Sequence, residues 1–263
     1  MKTPLNKITL NLDGAAEVSI QGCIAPIAYT KSDFHKRWNA LANLQVAEPE
    51  KQYAASVFRS FLPVGYVSVG ECWEVEEKGV LALLQQLLPN PSLDMRNDGG
   101  DSCGKWACLR AYNDQFADIM FRIHAEFAIQ DGWYTPSQLA GHLVIDRSQE
   151  RVAFFQLRVP EGILNFDVNW ETTEDGWDPG IVITDAGYCP QMELHSGTQT
   201  SVQALKFTEA ITEAEAAHKL ACCFYKSQQI NWVPLENALE MAQAQQKPIH
   251  AISISGPLAD EAC

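Results

Sequence analysis

The side chains with the most obvious redox or metal chemistry are eight cysteines, spread through a chain of 263 residues. The thiolate form of cysteine attacks disulfides and binds metals, so the surroundings of each thiol decide its use. Eight thinly spread cysteines do not make a disulfide scaffold in a chain of this length, and we expect most of them to be buried free thiols. They are Cys23, Cys72, Cys103, Cys108, Cys189, Cys222, Cys223 and Cys263.

Cys263 has the most informative context. It follows a predicted strand at Ile230–Val233, a predicted helix that Pro234 opens, an apolar run at Pro248–Ser255 and a short loop. The apolar run predicts a strand buried on both faces. This order is typical of the first half of a thioredoxin-like domain, in which the redox cysteine lies at a helix N-terminus. There the helix dipole and the free N–H groups favour the thiolate.

Two other cysteine pairs leave alternatives open. Cys103 and Cys108 have the Cys-x4-Cys spacing of a zinc half-site, but no second pair at ligand spacing accompanies them, so loop or buried thiols are favoured. Cys222 and Cys223 lie on a predicted helix that points one of them at the core. Packing is favoured for this pair, with a redox relay to Cys263 as the alternative.

The other candidate residues have simpler interpretations. His124 lies between Arg122 and Glu126 on the polar face of a predicted strand, where a cross-strand charge cluster is favoured over a catalytic histidine. Trp133 and Trp170 are expected in the core, with a pocket as the alternative. The chain has no Gly-rich phosphate loop, G-x-S-x-G elbow or H-E-x-x-H motif.

Composition excludes several classes of protein. A formal net charge of −14 disfavours nucleic acid and anionic membranes as partners. Apolar residues make up 46% of the chain and charged residues 20%, as in a globular protein. No apolar run reaches the roughly 20 residues of a membrane-spanning helix, and the N-terminal segment does not resemble a signal peptide. We therefore expect a cytoplasmic protein without a membrane segment.

The elements that must position these groups indicate an α+β fold. The pattern of apolar residues predicts a β-rich unit at residues 106–195. Apolar and polar residues alternate over Phe121–Ile129, and a hairpin is predicted over 142–159. Within this unit, Thr135, Pro136 and Gln138 predict a short helix that ends at Gly141.

Helices are expected on both sides of the β-rich unit. Apolar spacing predicts helices at 33–44 and 79–88. Thr212, with Glu215 three residues on, predicts the start of another helix, whose apolar stripe would be Ile211, Ala214, Ala217, Ala221 and Phe224. We divide the chain into an N-terminal and central region, 1–205, and the first half of a thioredoxin-like domain, 206–263.

Several long segments from about residue 62 to the end resemble the selenoprotein N family. Their length and collinear order make chance similarity a poor explanation. The segments are Phe121–Phe127, Trp133–Leu139 with Gly141 and His142, Phe154–Pro160, Leu164–Trp170, Gly187–Leu194 and Pro234–Cys263.

The resemblance implies a selenium-dependent thiol–disulfide oxidoreductase. Members carry a Ser-Cys-Sec-Gly motif, and Cys263 matches its cysteine with Ala262 in place of the serine. Selenocysteine, encoded by UGA, is then expected at the next position as the attacking group, with Cys263 as the resolving group and a protein disulfide as the substrate. The chain as given is expected to stop at that codon and to be nearly inactive.

Two points qualify what is carried over. The vertebrate members are similar to endoplasmic-reticulum membrane glycoproteins with an EF-hand, but here Arg96 and Lys105 occupy loop positions that require oxygen ligands. We therefore expect no calcium site, and a bacterial-type cytoplasmic member. The alternative function is a non-catalytic protein-binding or scaffold module built on the central β unit. The sequence names neither reductant nor oligomeric state.

Overall fold

The structure is a computed structural model, which describes residues 7–13, 15–93, 104–171, 182–198, 204–224, 230 and 232–251. Its helices are α1 (Phe34–Arg37), α2 (Asn39–Ala42), α3 (Glu77–Leu87), α4 (Glu213–Phe224), α5 (Leu235–Gln245) and a 3₁₀ helix at Ala55–Phe61. Its strands are β1 (Glu17–Ile24), β2 (Tyr29–Thr30), β3 (Glu50–Ala54), β4 (Cys72–Glu74), β5 (Pro91–Ser92), β6 (Lys105–Tyr112), β7 (Phe116–Ile123), β8 (Glu126–Ile129), β9 (Gly132–Pro136), β10 (Leu139–Asp146), β11 (Arg151–Arg158), β12 (Phe166–Glu171), β13 (Val182–Tyr188), β14 (Met192–Ser196) and β15 (Glu209–Ala210).

The described strands form two antiparallel sheets, which confirms the α+β class. The larger sheet has nine strands in the order β15-β6-β7-β10-β11-β14-β1-β3, with β4 also paired to β6. The smaller sheet has six strands in the order β2-β13-β12-β9-β8-β5. The described helices include none that is long and apolar enough to cross a membrane.

Alternate residues of the large sheet bury one face in a continuous apolar core. Ile119 from β7, Leu143 from β10 and Leu157 from β11 belong to the same buried cluster as Val168 of the small sheet. The rings of Phe121 and Phe155 stack there at a centroid distance of 5.8 Å. The opposite face of β6, β7 and β10 is the one on which α4 packs, and it carries the polar side chains.

The hairpin over 142–159 is confirmed by the pairing of β10 with β11. The short helix predicted from Thr135 to Gly141 is wrong, because these residues end β9 and begin β10. Leu139, Gly141 and Leu143 are buried, while Ala140 and His142 between them are half-buried, so strand pairing outweighs the local helix-start pattern.

The helix predicted at 33–44 is two short helices, α1 and α2, separated by Trp38. Trp38 has an extended backbone, and its indole N–H donates to the carbonyl oxygen of Gln130 at 2.9 Å. Its ring stacks on Trp170 at 5.7 Å. Burial of this tryptophan therefore interrupts the helix that the spacing predicts.

Beyond residue 205 the predicted helices are present and the predicted strands are not. In α4 and α5 the helices begin next to Thr212 and Pro234, as expected. The strand predicted at Ile230–Val233 is wrong for the described residues 230, 232 and 233. The strand predicted at Pro248–Ser255 is also wrong for residues 248–251, which are exposed, while 252–255 lie outside the described residues.

The reason for these two errors is the lack of pairing partners among the described residues. An apolar run becomes a buried strand only where neighbouring strands take its hydrogen bonds. Ile249 is instead 41% exposed, and α5 has no buried residue. The thioredoxin-like half of the predicted fold is therefore not confirmed, and the division at residue 205 stays a prediction.

Candidate functional site

A capping box holds the start of α4 in place. The hydroxyl of Thr212 accepts a hydrogen bond from the Glu215 backbone N–H at 3.1 Å, and the Glu215 carboxylate accepts one from the Thr212 N–H at 2.8 Å. These bonds lower the pKa of Glu215. The capping box provides hydrogen-bond acceptors for backbone N–H groups that have none within the first helical turn, and it fixes where the helix begins.

The buried stripe of α4 differs from the predicted one by rotation. The buried residues are Ala216, Leu220, Ala221 and Phe224, whereas the predicted Ala214 and Ala217 are exposed. Ala216 and Leu220 share a cluster with Cys108 and Met120 of the large sheet. The sheet residues under α4 therefore decide which of its faces is buried. The sequence of the helix alone does not predict that face.

Between α4 and the sheet lies a cleft of about 570 Å³. Its floor comes from β6, β7, β10 and β11, and its wall from α4 and the segment that precedes β15. The polar groups that line it are Arg110, Asp118, His142, Gln156, Arg158 and Glu213.

A buried carboxylate organises the floor of the cleft. Asp118 is fully buried, and one of its oxygens accepts hydrogen bonds from two nitrogens of the Arg110 guanidinium. Its other oxygen is 3.2 Å from Nδ1 of His142. The guanidinium also faces the ring of Phe207 at 5.1 Å. These contacts hold charged groups rigidly on a sheet, an arrangement that suits binding of a polar ligand or peptide segment.

The structure brings together three cysteines that are far apart in the sequence. Cys72 on β4 is paired directly with Cys108 on β6. Cys223 on α4 lies near Cys72, which raises its pKa, and its thiol donates to the Lys219 carbonyl oxygen at 3.3 Å. The ammonium group of Lys219, one turn earlier on the helix, adds a positive charge near the three sulfurs.

The three thiols have different acidities. The hydrogen bond to Cys108 raises the pKa of Cys72 to about 12, and the same bond lowers the pKa of Cys108. A hydrogen bond to Cys72 raises the pKa of Cys223, and burial adds to this shift. Cys108 therefore holds the negative charge of the group most readily.

The other described cysteines are separate from this group. Cys189 is buried, which raises its pKa, and its thiol donates to the carbonyl oxygen of Gln191 at 3.3 Å. Cys222 turns the other way on α4, with its sulfur 3.7 Å from His218. None of the six described cysteines is in a disulfide. Among the described residues, no group of three or more potential ligands is arranged to hold a metal ion.

Cys263 and Cys103 lie outside the described residues, as do Arg96 and the other predicted loop positions from 94 to 101. The role of Cys263 and the zinc alternative for Cys103 with Cys108 therefore stay predictions. Two cysteines that the sequence analysis singled out, Cys108 and Cys223, lie in the same group in the structure. The residue between them is Cys72, for which the sequence analysis gave no special role.

The strand pattern predicts that His124 lies on an exposed polar face, and this prediction is wrong. It lies just after β7, is 1% exposed, and its ring is 4.6 Å from that of Phe224 on α4. Arg122 donates from Nε to Nε2 of His124 at 3.0 Å. Trp170 is in the core, as expected, while Trp133 is half-buried.

Arg110, Asp118 and Cys72 are the residues that sequence reasoning missed. Arg110 and Asp118 do leave a trace in the sequence, because each is a charged residue inside an otherwise apolar strand. Such a charge is favourable only with a partner. Cys72 leaves no comparable trace, because only the pairing of β4 with β6 brings it to Cys108.

The fold and site define an α+β protein with a polar cleft and a cluster of three thiols on one face of an antiparallel sheet. No protein-family model and no solved structure matches the chain. Selenoprotein N of Mus musculus is 28% identical over 272 aligned positions, which cover 82% of this chain and 48% of the relative. Selenoprotein N of Danio rerio is 27% identical, with coverage of 80% and 47%.

Selenoprotein N of Homo sapiens is 26% identical, covering 87% of this chain and 46% of the relative. The chain is therefore similar to these three selenoprotein N proteins along most of its own length. The chain spans about half the length of the curated relatives that it matches.

Proposed function

We propose that the protein is a selenium-dependent thiol–disulfide oxidoreductase that acts on protein disulfides in the cytoplasm. The observation that carries this proposal is the similarity to three proteins named selenoprotein N along at least 80% of the chain. The proposed active pair is Cys263 and a selenocysteine at the position that follows it.

The order of events follows from the acidities of the two groups. A selenol is ionised at neutral pH, whereas a free thiol has a pKa of about 8.5. The selenolate attacks one sulfur of the substrate disulfide, the S–S bond breaks, and one thiolate leaves with a proton from solvent. The thiolate of Cys263 then attacks selenium, the bond between selenium and the substrate sulfur breaks, and the second substrate thiol leaves.

The proposal also includes a thioredoxin-like setting for this pair. The start of α5 next to Pro234 supports it, because that arrangement needs a helix there. In such a setting Cys263 would begin a helix, whose N-terminal N–H groups favour the charged form of the redox groups.

Two experiments test the proposal. The coding nucleotides after the Cys263 codon should be TGA, followed by a glycine codon and an open reading frame. With a dithiol reductant supplied to return the oxidised Cys–selenocysteine pair to its reduced form, the 263-residue chain should add almost nothing to the turnover of a protein disulfide over the reductant alone, and a chain extended through the selenocysteine should accelerate it. Steady turnover by the 263-residue chain, unchanged by Cys263→Ser, would contradict the assignment of the active pair.

The second candidate is a non-catalytic protein-binding module. The cleft favours it, because the exposed Arg158 and Glu213 line it together with the half-buried Arg110 and the buried Asp118. Such a lining suits the binding of a charged peptide segment. Thiol reactivity separates the two candidates. A redox site requires alkylation of Cys263 by iodoacetamide to reach half its maximum rate well below pH 8, whereas a binding module requires only the behaviour of an ordinary thiol.

A further inference from the structure

Cys72 and Cys108 lie opposite each other at a site in the sheet where side chains approach most closely. The pairing register of β4 with β6 is Cys72 with Cys108, then Trp73 with Ala107. The Leu109 N–H donates to the Glu71 carbonyl at 3.2 Å, and the Val75 N–H donates to the Lys105 carbonyl at 3.1 Å.

These two hydrogen bonds fix the type of the cysteine pair. In an antiparallel ladder, hydrogen-bonded and non-hydrogen-bonded pairs alternate. Positions 71 and 75 belong to hydrogen-bonded pairs, so Cys72 and Cys108 form a non-hydrogen-bonded pair. The Cα atoms of such a pair are about 4.5 Å apart, within the range of about 4.4–6.8 Å that disulfides span.

The surroundings of the pair favour reaction between these two sulfurs. Cys108 is fully buried under α4, while Cys72 is half-buried at the edge of the cluster that contains Cys108 and Leu220. A reagent that enters from solvent therefore reaches Cys72 first. Cys108 lies next to Cys72 on the side away from solvent.

A lysine ammonium supports the charged form of the inner thiol. The side chain of Lys219 comes so close to Gly70 that a Cβ there would lie 3.1 Å from its Cε and 3.6 Å from its Nζ. Gly70 is two residues from Cys72. The hydrogen bond to Cys72 and the positive charge of Lys219 lower the pKa of Cys108, whereas the pKa of Cys72 is raised to about 12 by the hydrogen bond to Cys108. Cys108 is therefore the thiolate of the pair, and it can act as a base towards Cys72 and later attack the oxidised Cys72 sulfur.

We propose that Cys72 and Cys108 are a peroxide-sensitive dithiol that closes to an intramolecular disulfide, independently of Cys263. This site goes beyond the proposed function, because it needs neither selenium nor the C-terminal residues. Its ligand class is a small peroxide, which fits a half-buried thiol where a protein disulfide does not.

The chemistry balances in two steps. The Cys108 thiolate takes the proton of Cys72, the Cys72 thiolate attacks one oxygen of hydrogen peroxide, the O–O bond breaks and a sulfenic acid forms. The departing hydroxide takes the proton back from Cys108 and leaves as water. The Cys108 thiolate then attacks the Cys72 sulfur, the S–O bond breaks, and hydroxide leaves and is protonated by solvent. Two thiols are oxidised by two electrons and one peroxide is reduced to two waters. A dithiol reductant reverses the disulfide.

The experiment uses the full chain with Cys263→Ser, so that the proposed active pair plays no part. The protein is treated with hydrogen peroxide, alkylated with N-ethylmaleimide under denaturing conditions, digested without reduction and analysed by mass spectrometry. We expect a linked peptide pair that joins Cys72 to Cys108, lighter by two hydrogens than the separate peptides, and its loss after dithiothreitol.

Matched variants identify the attacking sulfur. In Cys72→Ser the linked pair should be lost and Cys108 should stay alkylated, because the entry thiol is gone. In Cys222→Ser, which removes an α4 thiol that faces away from the pair, the linked pair should persist. Full alkylation of Cys72 and Cys108 in the peroxide-treated chain, or a link from Cys72 to another cysteine, would overturn the proposal. These outcomes do not depend on whether a chain with selenocysteine turns over a disulfide.

Discussion

Replacing Asp118 with alanine should destabilise the protein strongly, because the aspartate neutralises a charge that the sheet buries. Its side chain is 1% exposed, and that of Arg110 is 15% exposed. Removing one partner of a buried ion pair costs about 3–5 kcal/mol, since it leaves the other charge without compensation. The remaining exposure of Arg110 places the expected loss near the lower value, about 3 kcal/mol.

Urea unfolding followed by tryptophan fluorescence measures this loss. With a slope of about 1–3 kcal/mol per M, the unfolding midpoint should fall by at least about 1 M at an unchanged slope. Since small domains have a free energy of unfolding of about 5–15 kcal/mol, the variant should remain folded in buffer.

A double-mutant cycle separates the ion pair from simple packing. Replacing Arg110 by methionine keeps apolar contact with Phe207 and removes the charge that Asp118 neutralises. Arg110→Met combined with Asp118→Ala should be more stable than the sum of the two single changes predicts, by at least about 1 kcal/mol. Strict additivity, or a loss below about 1 kcal/mol for Asp118→Ala alone, would refute the assignment of a buried ion pair.

Three further predictions concern backbone geometry and pH. Thr212→Ala should lower the free energy of unfolding by about 1 kcal/mol in urea titrations, because it removes the capping box with Glu215. Gly141→Ala should lower the thermal midpoint sharply in calorimetry, since a Cβ there would lie 1.9 Å from the Gln156 carbonyl oxygen. For Asp146, burial opposes ionisation but hydrogen bonds lower the pKa below its usual value. The stabilisation that ionised Asp146 gives to the folded state is present above about pH 4 and is lost as pH falls through the lower pKa of the folded state. Urea titrations should therefore show that Asp146→Asn is less stable than the wild type at pH 7 and nearly as stable at pH 2.

Each of these changes has a matched control. Thr208→Ala alters an exposed threonine outside the capping box, Gly162→Ala an exposed glycine, and Asp114→Asn an exposed aspartate. Each control should change stability by less than about 0.5 kcal/mol. A control that costs as much as its partner would show that the named contact is not the cause.

Local patterns predicted the elements whose causes are local. The capping box of α4 needs only Thr212 and Glu215, and the apolar spacing of α3 lies within eleven residues. The helix predicted at Thr135–Gly141 fails because its start pattern is local while the pairing of β10 with β7 and β11 is not. Long-range pairing outweighs a capping preference, which is worth only about 1 kcal/mol.

The cleft and the thiol group needed the structure. Asp118 and Arg110 are eight residues apart, but their contact requires the pairing of β6 with β7, whose register shifts by one residue at Arg110. Cys72 meets Cys108 only through the pairing of β4 with β6, and Cys223 only through the rotation of α4. A change of one residue in either register would send these side chains to the opposite face of the sheet.

The two short strands on β6 have a consequence for how the protein meets other molecules. β4 covers residues 106–108 of this outer strand and β15 covers residues 111–112. Unpaired edge strands are templates on which foreign strands add. Here the edge is already occupied at both ends, so an incoming strand finds no continuous row of free backbone groups along β6. Contact with other proteins on this side of the sheet must then be made through side chains.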